Sequence, residues 1–196
     1  PYVYMGEEIG MTNCYFDKIE DYRDLETLNI YKEKMEQGVD ETEFMEILKY
    51  RSRDNSRTPM QWNDNHEAGF TTGKPWINVI KNYKDINVEK ALSNKNSIFY
   101  YYKNIIKIRK ENLSLIYGTF TEIVDVEPNI FAYYRTLADE KMLVVINMAD
   151  EFTLFKTDNM DFSKYKRVIS NYNDELIYEG LNIKLKPFQS FIYKVQ

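Results

Sequence analysis

The hydrophobic pattern of this chain changes near residue 115, and this change limits what the chain can fold into. After Gly118, short β-prone runs recur, separated by turn signals such as Glu127-Pro128-Asn129. Several short strands at this spacing predict an antiparallel β-sandwich. The runs are Thr119–Val124, Ile130–Thr136, Met142–Asn147, Phe152–Phe155, Arg167–Ser170, Leu181–Leu185 and Ser190–Val195. We therefore predict two domains, residues 1–114 and 115–196, the second of which is all-β.

The first part has helical periodicity. Asp21–Gln37 carries apolar side chains at spacings of three and four, and Gly38 after it is a suitable helix stop. A second helix is predicted over Thr42–Lys49, with Asp40 or Thr42 as its cap. The apolar faces comprise Leu25, Leu28, Tyr31 and Met35 in the first helix, and Phe44, Ile47 and Leu48 in the second.

Two further elements complete the first part. Ser93–Glu111 carries a broad apolar stripe, which predicts the strongest helix of the chain, with Ser93 or Asn96 near its cap. Tyr2–Met5 is apolar without alternation, and this pattern is typical of a strand buried on both faces of a parallel sheet. The first part is therefore predicted to be α/β.

Composition and charge exclude several classes of partner. The net charge is −5 with both signs interspersed, which argues against nucleic acid as a partner. No apolar run has the length of a membrane-spanning helix, and no signal peptide pattern is present. The chain contains one cysteine, Cys14, as expected in a reducing cytoplasm. Because His66 is the one histidine available as its base, a catalytic role for Cys14 is disfavoured.

The segment Arg51–Trp62 is the strongest candidate for function. It contains three arginines, an aspartate, an asparagine and a Thr-Pro step, and no hydrophobic period runs through it. It is therefore predicted to be a loop that presents polar groups from a rigid frame. The neighbouring carboxylates Glu7 and Glu8 are interpreted as anchors of a tight turn rather than as an acid/base pair, since adjacent residues usually point apart.

Three stretches, taken together, resemble glycoside hydrolase family 13, the α-amylase family. Residues 1–13, beginning Pro-Tyr-Val-Tyr-Met-Gly-Glu-Glu, resemble the end of its eighth barrel strand. Residues 53–62, Arg-Asp-Asn-Ser-Arg-Thr-Pro-Met-Gln-Trp, resemble the motif of its α-glucosidase branch, and residues 68–76 follow at the spacing of that branch. The resemblance covers essentially the whole chain and implies retaining hydrolysis of terminal α-glucosidic bonds, of the oligo-1,6-glucosidase or trehalose-6-phosphate hydrolase type.

The resemblance also implies an architecture. The first residues correspond to the last strand of a (β/α)8 TIM barrel, residues from about 10 to 95 to the long loop after it, and Ser93–Glu111 to the last barrel helix. Residues from about 115 onward correspond to the C-terminal β-sandwich. Loops at the carboxyl end of barrel strands form the active-site face, so Arg51–Trp62 is expected there. The rest of the barrel is expected to be the missing N-terminal partner of this chain.

The resemblance assigns no catalytic residue to this chain. Retaining glycosidases need two carboxyl groups about 5 Å apart, and in this family they lie on the fourth and fifth barrel strands. A supporting aspartate lies on the seventh strand within an Asn-His-Asp motif, which does not occur here; Asn65-His66-Glu67 is a superficial likeness. The chain is therefore expected to be an inactive C-terminal portion of the enzyme, and no cofactor or metal is expected.

Arg53 is the one site residue that the resemblance supplies. In the α-glucosidase branch, the arginine that opens this motif helps to hold the terminal glucose of an oligosaccharide or phosphorylated disaccharide. A guanidinium is always charged, planar and rich in donors, so it can fix hydroxyl oxygens at a set angle. The alternative is that Arg53 forms a structural ion pair with Asp54, Glu7 or Glu8. Arg57 is expected to brace the loop, and for Trp62 stacking on sugar and a place in the core remain open.

A second class of function also remains open. The 17 tyrosines and the predicted sandwich are compatible with a non-catalytic carbohydrate-binding module, since sugar faces pack on aromatic rings. Alternatively, the sandwich serves only to bury apolar surface against the barrel. Measured binding of malto- and isomalto-oligosaccharides by the chain separates these hypotheses.

Overall fold

The computed structural model describes residues 2–156 and 160–195, and these form two compact units, one up to Tyr102 and one from Lys103 onward. The helices are α1 (Leu25–Glu36), α2 (Glu41–Arg51), α3 (Val88–Ser93), α4 (Ile98–Glu111) and α5 (Ser114–Tyr117). The boundary between the units falls inside α4. The division into domains at residue 115 stays a prediction, since a contact boundary and a domain boundary are different quantities.

The first unit joins its helices by irregular segments that contain short 3-10 turns. These turns are Glu7–Ile9, Ile19–Asp21, Arg53–Ser56, His66–Gly69 and Lys81–Lys84. The larger of its two apolar clusters is formed by Cys14, Phe16, Tyr22, Phe44, Met45, Leu48, Ile77 and Ile80. Helices α1 and α2 pack on this cluster, so the segment after α2 leaves from a fixed point.

The predicted helices of this unit occur, with local corrections. Helix α1 begins at Leu25, because Asp24 caps it by accepting a hydrogen bond from the Thr27 N–H. Leu25 is 74% exposed, whereas Leu28, Tyr31 and Met35 pack against the core as predicted. Gly38 follows the helix with φ +76°, the left-handed conformation expected of a glycine stop.

Helix α2 is capped by Asp40, one of the two predicted caps, and it is longer than predicted. Its buried face consists of Phe44, Met45 and Leu48, while Ile47 is half exposed. The buried face keeps Phe44 and Leu48 and is turned toward Met45, away from Ile47.

Two predictions for the ends of the first part need correction. The helix predicted over Ser93–Glu111 begins later, at Ile98, because Ser93 is the last residue of the separate helix α3. The side chain of Asn94 accepts from the Asn96 N–H, and this local turn competes with helix. Tyr2–Met5 is exposed and is not in a strand. A buried parallel strand needs neighbours, and the strand pairs in the described residues are antiparallel and lie in the second unit.

The second unit is the predicted antiparallel β-sandwich. Its strands are β1 (Thr119–Glu122), β2 (Ile130–Leu137), β3 (Glu140–Asn147), β4 (Thr153–Phe155), β5 (Tyr165–Ser170), β6 (Ile177–Glu179), β7 (Asn182–Leu185) and β8 (Ser190–Val195). One sheet has the order β1-β2-β3-β8-β5 and the other β4-β7-β6. Strand β6 was not predicted; all three of its residues are exposed, so it has no buried face that the sequence pattern could reveal.

The core of the sandwich combines the inner faces of both sheets. Leu143, Val145 and Phe191 come from the larger sheet, and Phe155 and Ile183 from the smaller one; all are at most 1% exposed. The pairing of β3 with its neighbours explains why these side chains share one face of the larger sheet. Val145 lies opposite Phe191 on β8 and Ala132 on β2. Alternation along each strand places these side chains inward, and face-to-face packing of the sheets follows.

Candidate functional site

The loop predicted from Arg51–Trp62 begins with a capped turn. Helix α2 ends at Arg51, and Ser52 adopts an extended conformation in which its Oγ accepts from the Asp54 N–H at 3.2 Å. A 3-10 turn, Arg53–Ser56, follows, and the Ser56 hydroxyl donates back to the Arg53 carbonyl at 2.9 Å. The Tyr4 hydroxyl donates to the Ser56 carbonyl at 2.7 Å, so the opening segment of the chain braces the same turn.

Asp54 is a fully buried carboxylate that ties this turn to the start of α1. Its Oδ2 atom accepts from the backbone N–H groups of Arg23 at 2.6 Å and Asp24 at 2.9 Å. Charged acceptors on backbone donors make stronger hydrogen bonds than neutral pairs do. The amino end of a helix also favours negative charge. The turn and the start of α1 are therefore held as one structure.

Asp24 and Thr27 extend this buried polar network. The Asp24 Oδ2 atom accepts from both the N–H and the hydroxyl of Thr27 at 3.0 Å, and the Thr27 hydroxyl lies 3.0 Å from Ser52 Oγ. Burial alone would raise the pKa of Asp24, but the hydrogen bonds from Thr27 and the guanidinium of Arg57 outweigh it. The pKa of Asp24 is therefore held below its usual value.

Arg57 supplies the positive charge of the network. Its Nη1 atom lies 3.0 Å from Asp24 Oδ1 and 3.7 Å from Asp54 Oδ1. Its side chain is 39% exposed, whereas the two carboxylates are at most 7% exposed. Arg57 therefore braces the loop, as the sequence predicted, and it offsets the charge of two buried carboxylates.

Arg53, in contrast, points away from this network. Its Nη2 atom lies 2.7 Å from Glu26 Oε2 in the first turn of α1, and these side chains are 64% and 55% exposed. Both residues line an open cavity of about 300 Å³, together with Arg51 and Ile30. The predicted alternative partners are engaged elsewhere, because Asp54 binds the start of α1 and Glu7 and Glu8 accept from the backbone N–H groups of residues 4 and 6.

The next residue of the motif, Asn55, anchors the loop on its other side. Its Oδ1 atom accepts from the N–H of Cys14 at 3.1 Å and lies 3.0 Å from the thiol, while its Nδ2 donates to the Lys49 carbonyl at 3.0 Å. Burial raises the pKa of Cys14 to about 11, against hydrogen bonds from nearby backbone groups that lower it. A buried thiol with this pKa is a poor nucleophile, which argues against a catalytic role for Cys14, as the sequence does.

The far end of the motif is only partly buried. Met60 and Gln61 are inside, and the Gln61 amide donates to the Asn82 side chain at 3.3 Å. Trp62 is 49% exposed, so a core role does not account for its whole ring. His66 is exposed, and its Nε2 lies 3.7 Å from Glu67 Oε1 in a turn where Glu67 has the left-handed φ of +50°.

The residues that the sequence did not single out are Glu26 and Asp24. Both are long-range partners of the motif, separated from it by about 30 positions, and no local pattern indicates such a pair. Asp24 did carry a signal, because an aspartate directly before an apolar helical run is a typical cap. Among residues 2–156 and 160–195, no group of His, Cys, Asp or Glu side chains is arranged to hold a metal ion. None of the helices in these ranges has the length and apolar character of a membrane crossing.

The geometry therefore shows a braced loop in which the exposed Arg53 side chain points away from the buried polar network. Comparison with known proteins identifies the family of the chain. Residues 1–118 match the alpha amylase catalytic domain, and residues 130–192 match the C-terminal domain of alpha-amylase SusG. The first match covers more than half of the chain. The chain belongs to the α-amylase family, glycoside hydrolase family 13.

Individual relatives indicate which branch of the family the chain resembles. The oligo-1,6-glucosidase of Bacillus cereus is 48% identical, aligned with 100% of this chain and 35% of its own length. The trehalose-6-phosphate hydrolase of Bacillus subtilis is 44% identical, with the same shares covered. A crystal structure of the Bacillus licheniformis trehalose-6-phosphate hydrolase superposes with a TM-score of 0.91 at 47% identity, covering 100% of this chain and 36% of that one. The chain therefore spans about a third of the length of these relatives.

Proposed function

We propose that this chain is the C-terminal portion of a retaining α-glucosidase that removes terminal glucose from short oligosaccharides or from a phosphorylated disaccharide. Relatives named for both activities align with the whole chain, which supports the branch and leaves both substrates open. The catalytic carboxylates belong to the remaining part of the barrel. The proposed location is the cytoplasm, where phosphorylated sugars and reduced cysteines occur together.

The roles proposed for the two parts of the chain follow the two family matches. Residues 1–114 complete the catalytic barrel and carry the loop, and residues 115–196 form the β-sandwich. The end of one match at 118 and the start of the other at 130 support this division.

Arg53 is the residue that we propose to contact substrate, and its exposed ion pair carries the proposal. An ion pair between exposed groups contributes only about 0–1 kcal/mol. The pairing of the guanidinium with Glu26 can therefore be replaced or shared by sugar hydroxyls at little cost in free energy. A guanidinium that served structure alone would be expected in the buried network, where Arg57 is found.

Kinetics of the full-length protein test this role. Arg53→Ala is expected to lower kcat/KM for isomaltose, maltose or trehalose 6-phosphate by about 100-fold, since misplacing a terminal sugar by about 1 Å has effects of that order. Arg53→Lys is expected to recover only part of the loss, because an ammonium lacks the planar fork. Arg167→Ala, at an exposed arginine of the sandwich that does not line this cavity, is the matched control. A kcat/KM for Arg53→Ala equal to that of the control would exclude the proposed contact.

The coding region upstream of the Pro1 codon tests the wider proposal. An open frame of roughly 350 codons that encodes an Asn-His-Asp motif shortly before Pro1 is expected for an enzyme whose last third is this chain. A reading frame without a barrel would favour the non-catalytic module. In that case titration with isomalto-oligosaccharides becomes the assay of choice.

A further inference from the structure

Arg53 and Glu26 lie on different elements, and their own ion pair is too exposed to hold them together. Glu26 is in the first turn of α1, Arg53 opens the turn after α2, and their side chains are more than half exposed. A fixed position for the Arg53 guanidinium therefore requires a second connection between these two elements.

Asp54 provides a connection at the right place. It follows Arg53 directly in the chain, and its Oδ2 atom accepts from the N–H groups of Arg23 and Asp24, two to three residues before Glu26. The carboxylate is 0% exposed, so water does not compete for these hydrogen bonds. The backbone at Arg53 and the backbone before Glu26 are thus joined through one side chain.

We propose that Asp54 is a positioning residue, which fixes the Arg53 guanidinium relative to Glu26 for contact with the substrate. The inference rests on the proposed role of Arg53 and goes one step further, since Asp54 itself is buried and touches no substrate. Asp54 acts on Arg53 because the two residues are adjacent in the chain. It acts on the start of α1 through its hydrogen bonds.

Two neighbours support the same connection. Ser52 accepts from the Asp54 N–H, and its hydroxyl lies 3.0 Å from that of Thr27, which forms a second link between the loop and α1. Arg57 lies 3.7 Å from the Asp54 Oδ1 atom and faces Asp24 as well. An asparagine at position 54 would weaken the backbone hydrogen bonds and turn an amide N–H2 toward the Arg57 guanidinium, so the loop is expected to shift.

Asp54→Asn in the full-length protein is the first test. We expect kcat/KM for the preferred α-glucoside to fall by about 10- to 100-fold in a protein that remains folded. Asp40→Asn is the matched control, because Asp40 caps the exposed start of α2 by accepting from Glu43 N–H at 3.0 Å. That control is expected to keep kcat/KM within about twofold, since Asp40 has no part in the loop.

A double-mutant cycle separates positioning from a general structural role. In an Arg53→Ala background, Asp54→Asn is expected to lower kcat/KM by less than about threefold, because the group that it positions is gone. Its effect on thermal stability is expected to be the same in both backgrounds. Equal activity losses in both backgrounds, or wild-type kcat/KM for Asp54→Asn, would overturn the proposal. If Asp54→Asn does not fold, Ser52→Ala serves in the same cycle with the same criteria.

A crystal structure of the Asp54→Asn protein tests positioning by Asp54 separately from the proposed contact of Arg53 with substrate. If the full-length protein lacks α-glucosidase activity, or Arg53→Ala leaves kcat/KM unchanged, the proposed function fails. The structure still decides on positioning. A separation of Arg53 Nη2 and Glu26 Oε2 beyond hydrogen-bond distance supports it, and an unchanged 2.7 Å contradicts it.

Discussion

Two arginines of the same motif occupy opposite environments. Arg57 faces the nearly buried carboxylates of Asp24 and Asp54, and Arg53 pairs with Glu26 at the surface. The bracing role of Arg57 was predicted from the sequence, whereas contact of Arg53 with substrate is implied by the family resemblance and stays a prediction. The partners of the two arginines could not be predicted, since Asp24 and Glu26 lie at the start of a helix about 30 residues earlier.

Stability measurements should separate these arginines. Arg57→Ala leaves two carboxylates with little compensation, and breaking a buried pair costs about 3–5 kcal/mol; since Arg57 is itself 39% exposed, we expect about 2 kcal/mol. Arg53→Ala should change the free energy of unfolding by less than about 1 kcal/mol. Urea unfolding followed by circular dichroism measures both. Equal losses would show that the buried network contributes no more than the surface pair.

The Asp24 carboxylate should make the protein sensitive to acid. Its pKa is lower in the folded state than in the unfolded chain, so its contribution is complete above the unfolded pKa of about 4 and is lost as the pH falls through the folded pKa. Asp24→Asn is expected to cost about 1–3 kcal/mol at pH 7. The difference from wild type should shrink as the pH falls below about 4. A difference that is constant between pH 7 and pH 3 would contradict this assignment.

At the scale of elements, local signals determined what could be predicted. Gly38 and Asp40 are capping residues that act over a few positions; Gly38 was predicted as a stop and Asp40 as one of two possible caps. The predicted start of α4 was several residues too early, although residues 94–97, Asn-Lys-Asn-Ser, are all polar; Asn94 turns the chain there through a side-chain hydrogen bond. Strand β6 was missed because its pairing with β7 is a property of the sheet and not of three residues.

Two phenylalanines near strand β4 test the packing of the sandwich. Phe155 is 0% exposed between the two sheets, whereas Phe152, just before the strand, is 54% exposed with Lys184 over its ring. Phe155→Ala should destabilise the protein by about 3–5 kcal/mol, through lost burial and the cavity that remains. Phe152→Ala should cost less than about 1 kcal/mol. Comparable losses in thermal unfolding would mean that Phe155 does not fill the core.

At the scale of the whole molecule, the family could be recognised from the sequence because its motifs are local and ordered along the chain. The two-layer sandwich was predicted from strand spacing, and the match to a family C-terminal domain agrees with it. The environment of Tyr2–Met5 could not be predicted in the same way. A barrel strand depends on neighbours that come from elsewhere in the barrel, and here these residues are exposed.

The chain carries the residue proposed to position the substrate, and the catalytic carboxylates are expected in the rest of the barrel. This leads to a prediction about the isolated chain. Hydrolysis with retention needs a nucleophile and an acid/base about 5 Å apart, and the family resemblance places both on strands that do not correspond to residues 1–196. A guanidinium can orient a sugar but can neither attack the anomeric carbon nor protonate the leaving oxygen. The purified 196-residue chain should therefore release no glucose from isomaltose, maltose or trehalose 6-phosphate above a blank.

The full-length protein, assayed in parallel, is the control that makes this result informative. Turnover by the full-length protein and none by the chain would assign catalysis to the rest of the barrel, and Arg53 would then be tested in the full-length enzyme. Turnover by the chain alone would require a pair of carboxyl groups within it, and Glu7 with Glu8 would be the first to substitute. Since both accept from backbone N–H groups in a tight turn, their substitution should affect the stability of that turn before it affects any activity.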